Sequence, residues 1–138
     1  MAQSENAAAI ERAVEQMNSG NVEGYLDLYS DNLTLHGYPP GIEGKEGATA
    51  FYTAFRKGID PFHLTVDAMI EDGDTIAGRF SIRGKHADEL MGVPATGNDI
   101  DITGQSFFRF EGGRVVERWQ ALDAVPLLTQ IGALPEPA

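Results

Sequence analysis

A change of hydrophobic period constrains this chain more than any other feature. In the first half, apolar residues recur at helical spacing. In the second half they run through long extended stretches, broken by two turn signals, EDGD at 71–74 and EGG at 111–113. "FHLTVDAMI" and "TIAGRFSIRGKH" read as one hairpin, and "IDITGQSFFRF" and "RVVERWQALD" as the next. Helices followed by a meander of antiparallel strands define an α+β plan, with N-terminal helices packed on one face of a curved antiparallel sheet. Between two such layers lies a concave space, a natural small-molecule pocket.

The helical half has clear punctuation. Ser4 can cap a helix from about Glu5 to Asn18, with Ile10, Val14 and Met17 on one face. Asn21 can cap a second, short helix through Tyr29, with Tyr25, Leu26 and Tyr29 turned inward. "LTLHGY" reads as a short strand. A third helix fits "KEGATAFYTAFRKG", with Ala48, Phe51, Tyr52 and Phe55 on one stripe, although Gly47 weakens it by about 1 kcal/mol relative to alanine. At the far end Asp123 is expected to cap a closing helical turn, "VPLLTQIG", with Gly132 as its stop and "ALPEPA" as a tail. With 138 residues and neither repeats nor linkers, residues 1–138 are expected to form one domain.

Composition removes several function classes. The formal net charge of −11 repels phosphate backbones and anionic lipid surfaces, so neither nucleic acid nor membrane is an expected partner. There is no cysteine, so disulfides and thiolate metal sites are excluded. The three histidines lack metal-ligand spacing, and no metal is expected. "MAQSENAAAIERAVEQ" has neither the basic start nor the apolar stretch of a signal peptide, so a cytoplasmic location is expected.

The last hairpin admits two registers. A two-residue turn at Gly112-Gly113 pairs Glu111 with Arg114 and places Gln120 on a face with Gln105 and Phe107. A three-residue loop bulged at Gly113 shifts the pairing by one. Gln120 then shares a face with Ser106, Phe108, Val116 and Leu122, because a one-residue slip exchanges the faces. The bulged form is favoured, since it leaves a mixed polar and apolar wall. The opposite face, with Phe107, Arg109, Val115, Glu117 and Trp119, is too apolar for water, and a homodimer across it is expected.

Four segments, "LHGYPPGIEGKEG", "GKHADELMGVPATG", "ITGQSFFRFEGGRVVERW" and "LLTQIGALP", give the chain a family likeness. It resembles the SnoaL-like polyketide cyclases, which belong to the nuclear-transport-factor-2-like α+β cone folds. The resemblance implies an intramolecular aldol ring closure without metal or organic cofactor. It also implies an aspartate acting as acid and base directly after the hairpin tryptophan, assisted by a histidine on the partner strand. In this sequence those positions hold Gln120 and Ser106. A glutamine has no proton to exchange near neutral pH, but it can hold a carbonyl or enolate oxygen.

His36 is therefore the best surviving base, expected near the pocket mouth, with Ser106 and Gln120 orienting a substrate oxygen. Tyr25, Tyr29, Tyr38, Phe51 and Phe108 are candidates to line the pocket, and the aromatic set could equally be core. His86 is read either as a ligand contact or as a residue that orders its loop. The expected activity is cofactor-independent cyclisation, isomerisation, dehydration or hydrolysis of a small hydrophobic, polyketide-, steroid- or terpenoid-like substrate. The alternative is a non-catalytic member of the fold that binds a small ligand or dimerises.

Overall fold

A computed structural model describes residues 3–134; the end of the expected tail, residues 135–138, lies outside them. Helix α1 (Glu5–Asn18) begins where Ser4 accepts a hydrogen bond from the Ala7 amide at 3.0 Å. Helix α2 (Val22–Leu26) is capped by Asn21, which accepts from the Gly24 amide at 3.0 Å. It stops before Tyr29, which opens strand β1 (Tyr29–His36) instead of closing the helix. The reason is long-range pairing, since Tyr29 lies opposite Val115 in a strand far along the chain. Helix α3 (Gly44–Gly58) buries Ala48, Tyr52 and Phe55 and passes directly into β2 (Ile59–Asp72).

Strands β3 (Thr75–His86), β4 (Asp99–Glu111) and β5 (Arg114–Leu122) follow, and helix α4 (Ala124–Gln130) is the last of the described elements. The five-stranded sheet has the order β1-β5-β4-β3-β2, antiparallel except for the parallel β1–β5 pair. Helix α3 touches both edge strands, β1 and β2, so the sheet curls around it. Ile10, Met17, Tyr52, Phe55, Phe62, Phe80 and Phe108 belong to the core enclosed between helices and sheet. Among the described helices, none is long and apolar enough to cross a membrane.

The last hairpin combines features of both expected registers. Its turn is the two-residue form, with Glu111 opposite Arg114 and positive φ at Gly112 (59°) and Gly113 (83°). The bulge sits further along, where Phe110 pairs with Val115 but Arg109 pairs with Glu117. Val116 is the extra residue. It shifts the later pairs by one, so Ser106 faces Gln120 as expected, through a different device. Val115 precedes the shift and is fully buried in the core, not on the outer face. Asp123 stands at the N-cap of α4 without bonding its backbone; its carboxylate accepts from the Thr103 hydroxyl instead.

Candidate active site

Beyond the bulge, β5 alternates strictly between two environments. Arg118 and Gln120 point to the helices, while Glu117 and Trp119 point away. The inward side chains help enclose a cavity of about 60 Å³. Its walls include Phe51, Phe55 and Phe62 on the apolar side, and Tyr25, Tyr52, Ser106, Arg118 and Gln120 on the polar side. That volume holds a few waters, at roughly 10–15 Å³ each. An organic ligand needs more room, so rings such as the half-buried Phe51 must move to admit one.

The polar wall carries two hydrogen-bonded groups, brought together by the edge-on packing of Tyr25 and Tyr52 at 5.0 Å between ring centroids. Tyr38 donates to Tyr52 at 2.5 Å, and Tyr52 donates to Gln120 Oε1 at 3.1 Å. This bond orients the amide and leaves the Gln120 Nε2 hydrogens without a protein acceptor among the described residues. Arg118 donates through Nε and Nη2 to Ser106 Oγ at 3.3 and 3.0 Å, and through Nη1 to Tyr25 and Tyr29 at 2.9 and 2.5 Å. Tyr25 and Tyr29 also share a bond at 2.6 Å. Ser106 Oγ thus accepts from Arg118 and keeps its own hydrogen free to donate.

Burial raises the ionisation of all four tyrosines above their ordinary value, with the Arg118 charge opposing it only in part. Burial alone would lower the Arg118 guanidinium, but the surrounding tyrosine oxygens more than offset it, and the group stays charged. The cavity wall therefore offers hydrogen-bond donors and one fixed positive charge. Among the described residues no carboxylate and no imidazole lines it.

His36 does not join Ser106 and Gln120, which corrects the sequence expectation. Parallel pairing sets His36 beside Trp119, on the outer face of the sheet. There its ring stacks on the indole, with centroids 5.1 Å apart and planes 12° apart, and its Nε2 lies 2.7 Å from Glu117. Glu117 also accepts from Arg109 at 3.1 Å, and the His36 bond, followed by Arg109, holds its carboxyl below the usual range. The next residue, Gly37, must be glycine. Its φ is +83°, and a Cβ would sit 2.0 Å from the Gln120 carbonyl oxygen.

His86 is likewise away from the cavity. It is fully buried at the end of β3, where Nδ1 meets the Thr96 hydroxyl at 2.9 Å and the Thr96 amide at 3.3 Å. That geometry is the loop-ordering alternative. Tyr29 and Tyr38 stand behind the wall as partners of Arg118 and Tyr52, whereas Tyr25, Phe51 and Phe108 border the cavity itself. Sequence reasoning missed Arg118 and Tyr52. For Arg118 a signal existed: an even-numbered arginine lies between Val116 and Gln120 on the strand face assigned to the pocket.

Solved structures with this architecture come from several bacteria. IdmH of Streptomyces antibioticus, a candidate polyketide cyclase, is 30% identical, with 94% of this chain and 99% of that chain covered and a TM-score of 0.78. AclR of Streptomyces galilaeus, a candidate hydroxylase, is 25% identical, with 97% and 100% covered and a TM-score of 0.85. TsrD of Streptomyces laurentii shares the fold at 22% identity, with 97% and 99% covered and a TM-score of 0.86. Among functionally curated proteins, none matches. The family model of the SnoaL-like polyketide cyclases matches residues 7–131, and the chain belongs to that family.

Proposed function

We propose that the protein is a cofactor-independent enzyme of cyclase type that converts a small hydrophobic substrate in the cavity between helices and sheet. The carrying observation is the position of two unspent donors, Ser106 Oγ–H and Gln120 Nε2–H, on the polar wall of a space whose other side is apolar. A carbonyl oxygen placed there gains hydrogen bonds that strengthen as it becomes an enolate or alkoxide. That is the requirement of ring closure, isomerisation, dehydration or hydrolysis next to a carbonyl. Among the described wall residues none exchanges protons near neutral pH, so the carbanion is that of a substrate that has already lost its proton to water. Polyketide-like β-dicarbonyl compounds are acidic enough to do so.

Losing one positioned donor of this kind costs about 2.7–4 kcal/mol. Gln120→Ala should then lower turnover of a cyclisable β-dicarbonyl substrate by roughly a hundredfold or more. An unchanged rate removes Gln120 from the reaction.

The outer sheet face supports a homodimer. Phe107 and Trp119 pair across strands and are 55% and 38% exposed, at the centre of that face. Light scattering at micromolar concentration should give twice the monomer mass, and a monomer there excludes the dimer. The cytoplasm remains the proposed location, read from the sequence alone. A second reading, ligand binding without turnover, draws support from the wall itself, which among the described residues holds no carboxylate.

A further inference from the structure

Arg118 is 7% exposed and has five N–H bonds. Four of them reach acceptors: two on Ser106 and one each on Tyr25 and Tyr29. All of these acceptors are neutral oxygens. Among the described residues no carboxylate pairs with Arg118. This is not for want of acids, since the chain has 21 of them against 10 lysines and arginines. The nearest in sequence, Glu117, points out of the other side of the sheet toward His36 and Arg109.

Below the guanidinium lies the Phe108 ring, 4.6 Å from Cζ to centroid, so that side is closed. The fifth N–H, on Nη2, has no described acceptor, and Arg118 borders the cavity. The hydroxyls keep the buried guanidinium solvated but carry no negative charge, so an anion at the open N–H gains most there. A ligand's anionic oxygen is such a partner.

We infer that the cavity takes a hydrophobic organic acid, its anionic oxygen bound by Arg118 Nη2 and the Ser106 hydroxyl, its apolar body against Phe51, Phe55 and Phe62. The anion is an ionised carboxylate or the equivalent oxygen of an ionised β-dicarbonyl compound. This rests on the reading of the cavity as the substrate site, and it adds charge to the definition of the substrate. Neutral ketones, esters and amides of the same shape leave the guanidinium unpaired and bind worse.

Isothermal titration calorimetry at pH 7 and constant ionic strength tests this with matched pairs: acetate and acetamide, benzoate and benzamide, 1-naphthoate and 1-naphthamide. The smallest pair suits the cavity as it stands. The expected result is that the best-bound acid exceeds its amide by tenfold or more, and that Arg118→Gln abolishes the preference. Equal binding of acid and amide, no binding of any acid, or a preference that survives in a folded Arg118→Gln variant would each overturn the inference. Should the variant fail to fold, the acid–amide comparison in the unaltered protein decides alone. Turnover is a separate readout. Acid preference without turnover leaves the charge assignment and removes the enzyme, whereas turnover of neutral substrates without acid preference does the reverse.

Discussion

The two faces of the β4–β5 hairpin are built from alternate residues of the same strands, yet they treat charge in opposite ways. Outside, Arg109 and His36 converge on Glu117, and Arg109 reaches Glu111 at 3.3 Å, so the arginine meets two acids. Inside, Arg118 meets only hydroxyls and aromatic rings among the described residues. The outer groups remain partly hydrated, and their pairing is worth little. The inner group has lost its water, so its environment matters far more. An exposed ladder of ion pairs is a surface feature; the buried cation ringed by neutral oxygens is what the proposed acid site rests on.

A one-residue slip beyond the bulge breaks the comparison most severely. A residue inserted between Glu117 and Arg118 keeps the turn and the bulge but turns Arg118, Gln120 and Leu122 outward and Trp119 into the core. Losing the Arg118 cluster and forcing the indole into a filled core should remove most or all of the stability of a domain of this size, about 5–15 kcal/mol. Circular dichroism should then show no cooperative melting.

Neighbouring phenylalanines test the two faces at one point. Phe108 is 2% exposed and Phe107 is 55% exposed. Phe108→Ala should cost about 3–5 kcal/mol by denaturant unfolding. Phe107→Ala should change the stability of the monomer by no more than about 0.5 kcal/mol, with any larger effect confined to the proposed dimer. Equal costs would mean that the two faces are not distinct in packing.

The chain's four tyrosines, Tyr25, Tyr29, Tyr38 and Tyr52, all belong to the inner cluster. Burial raises each of them, so their protonated state favours the fold. That stability is complete below the unfolded value near 10 and is lost as pH rises above it. Near-ultraviolet absorbance should therefore show no tyrosine ionising ahead of alkaline unfolding. A phase near pH 10 in the folded protein would mean that water reaches the cluster.

The outer face should give the smallest effect. Glu117 is held below its ordinary range by His36 first and then by Arg109, so it contributes stability above about pH 4. That contribution fades as pH falls through its folded value. Glu117→Gln should flatten the acid limb of the melting temperature against pH slightly, and an unaltered curve would show that the surface pairs contribute nothing.

Local chemistry made much of the fold legible. Ser4 and Asn21 carry cap chemistry, Gly112-Gly113 satisfies a turn that needs two positive φ values, and β3 spans the segment that its alternating pattern marks, Thr75–His86. The shared face of Ser106 and Gln120 was also readable, although the bulge responsible for it was expected at Gly113 and stands at Val116. A bulge inside a strand leaves no turn residue to mark it. In "RVVERW", Val115 and Val116 are equally apolar, and only the pairing with Phe110 and Arg109 distinguishes them.

By itself the sequence determined the helices, the hairpins, the family and the uncharged residues where an acid and a base were implied. These depend on neighbours a few positions apart. Only the tertiary structure decided which side His36 faces, because its strand takes its orientation from parallel pairing with a partner more than 80 residues away. Only the tertiary structure assembled the Arg118 cluster, whose tyrosine partners lie 89 and 93 residues earlier. Alternation along a strand sorts residues into two sets, and the packing of helices against one of them decides which set becomes the site.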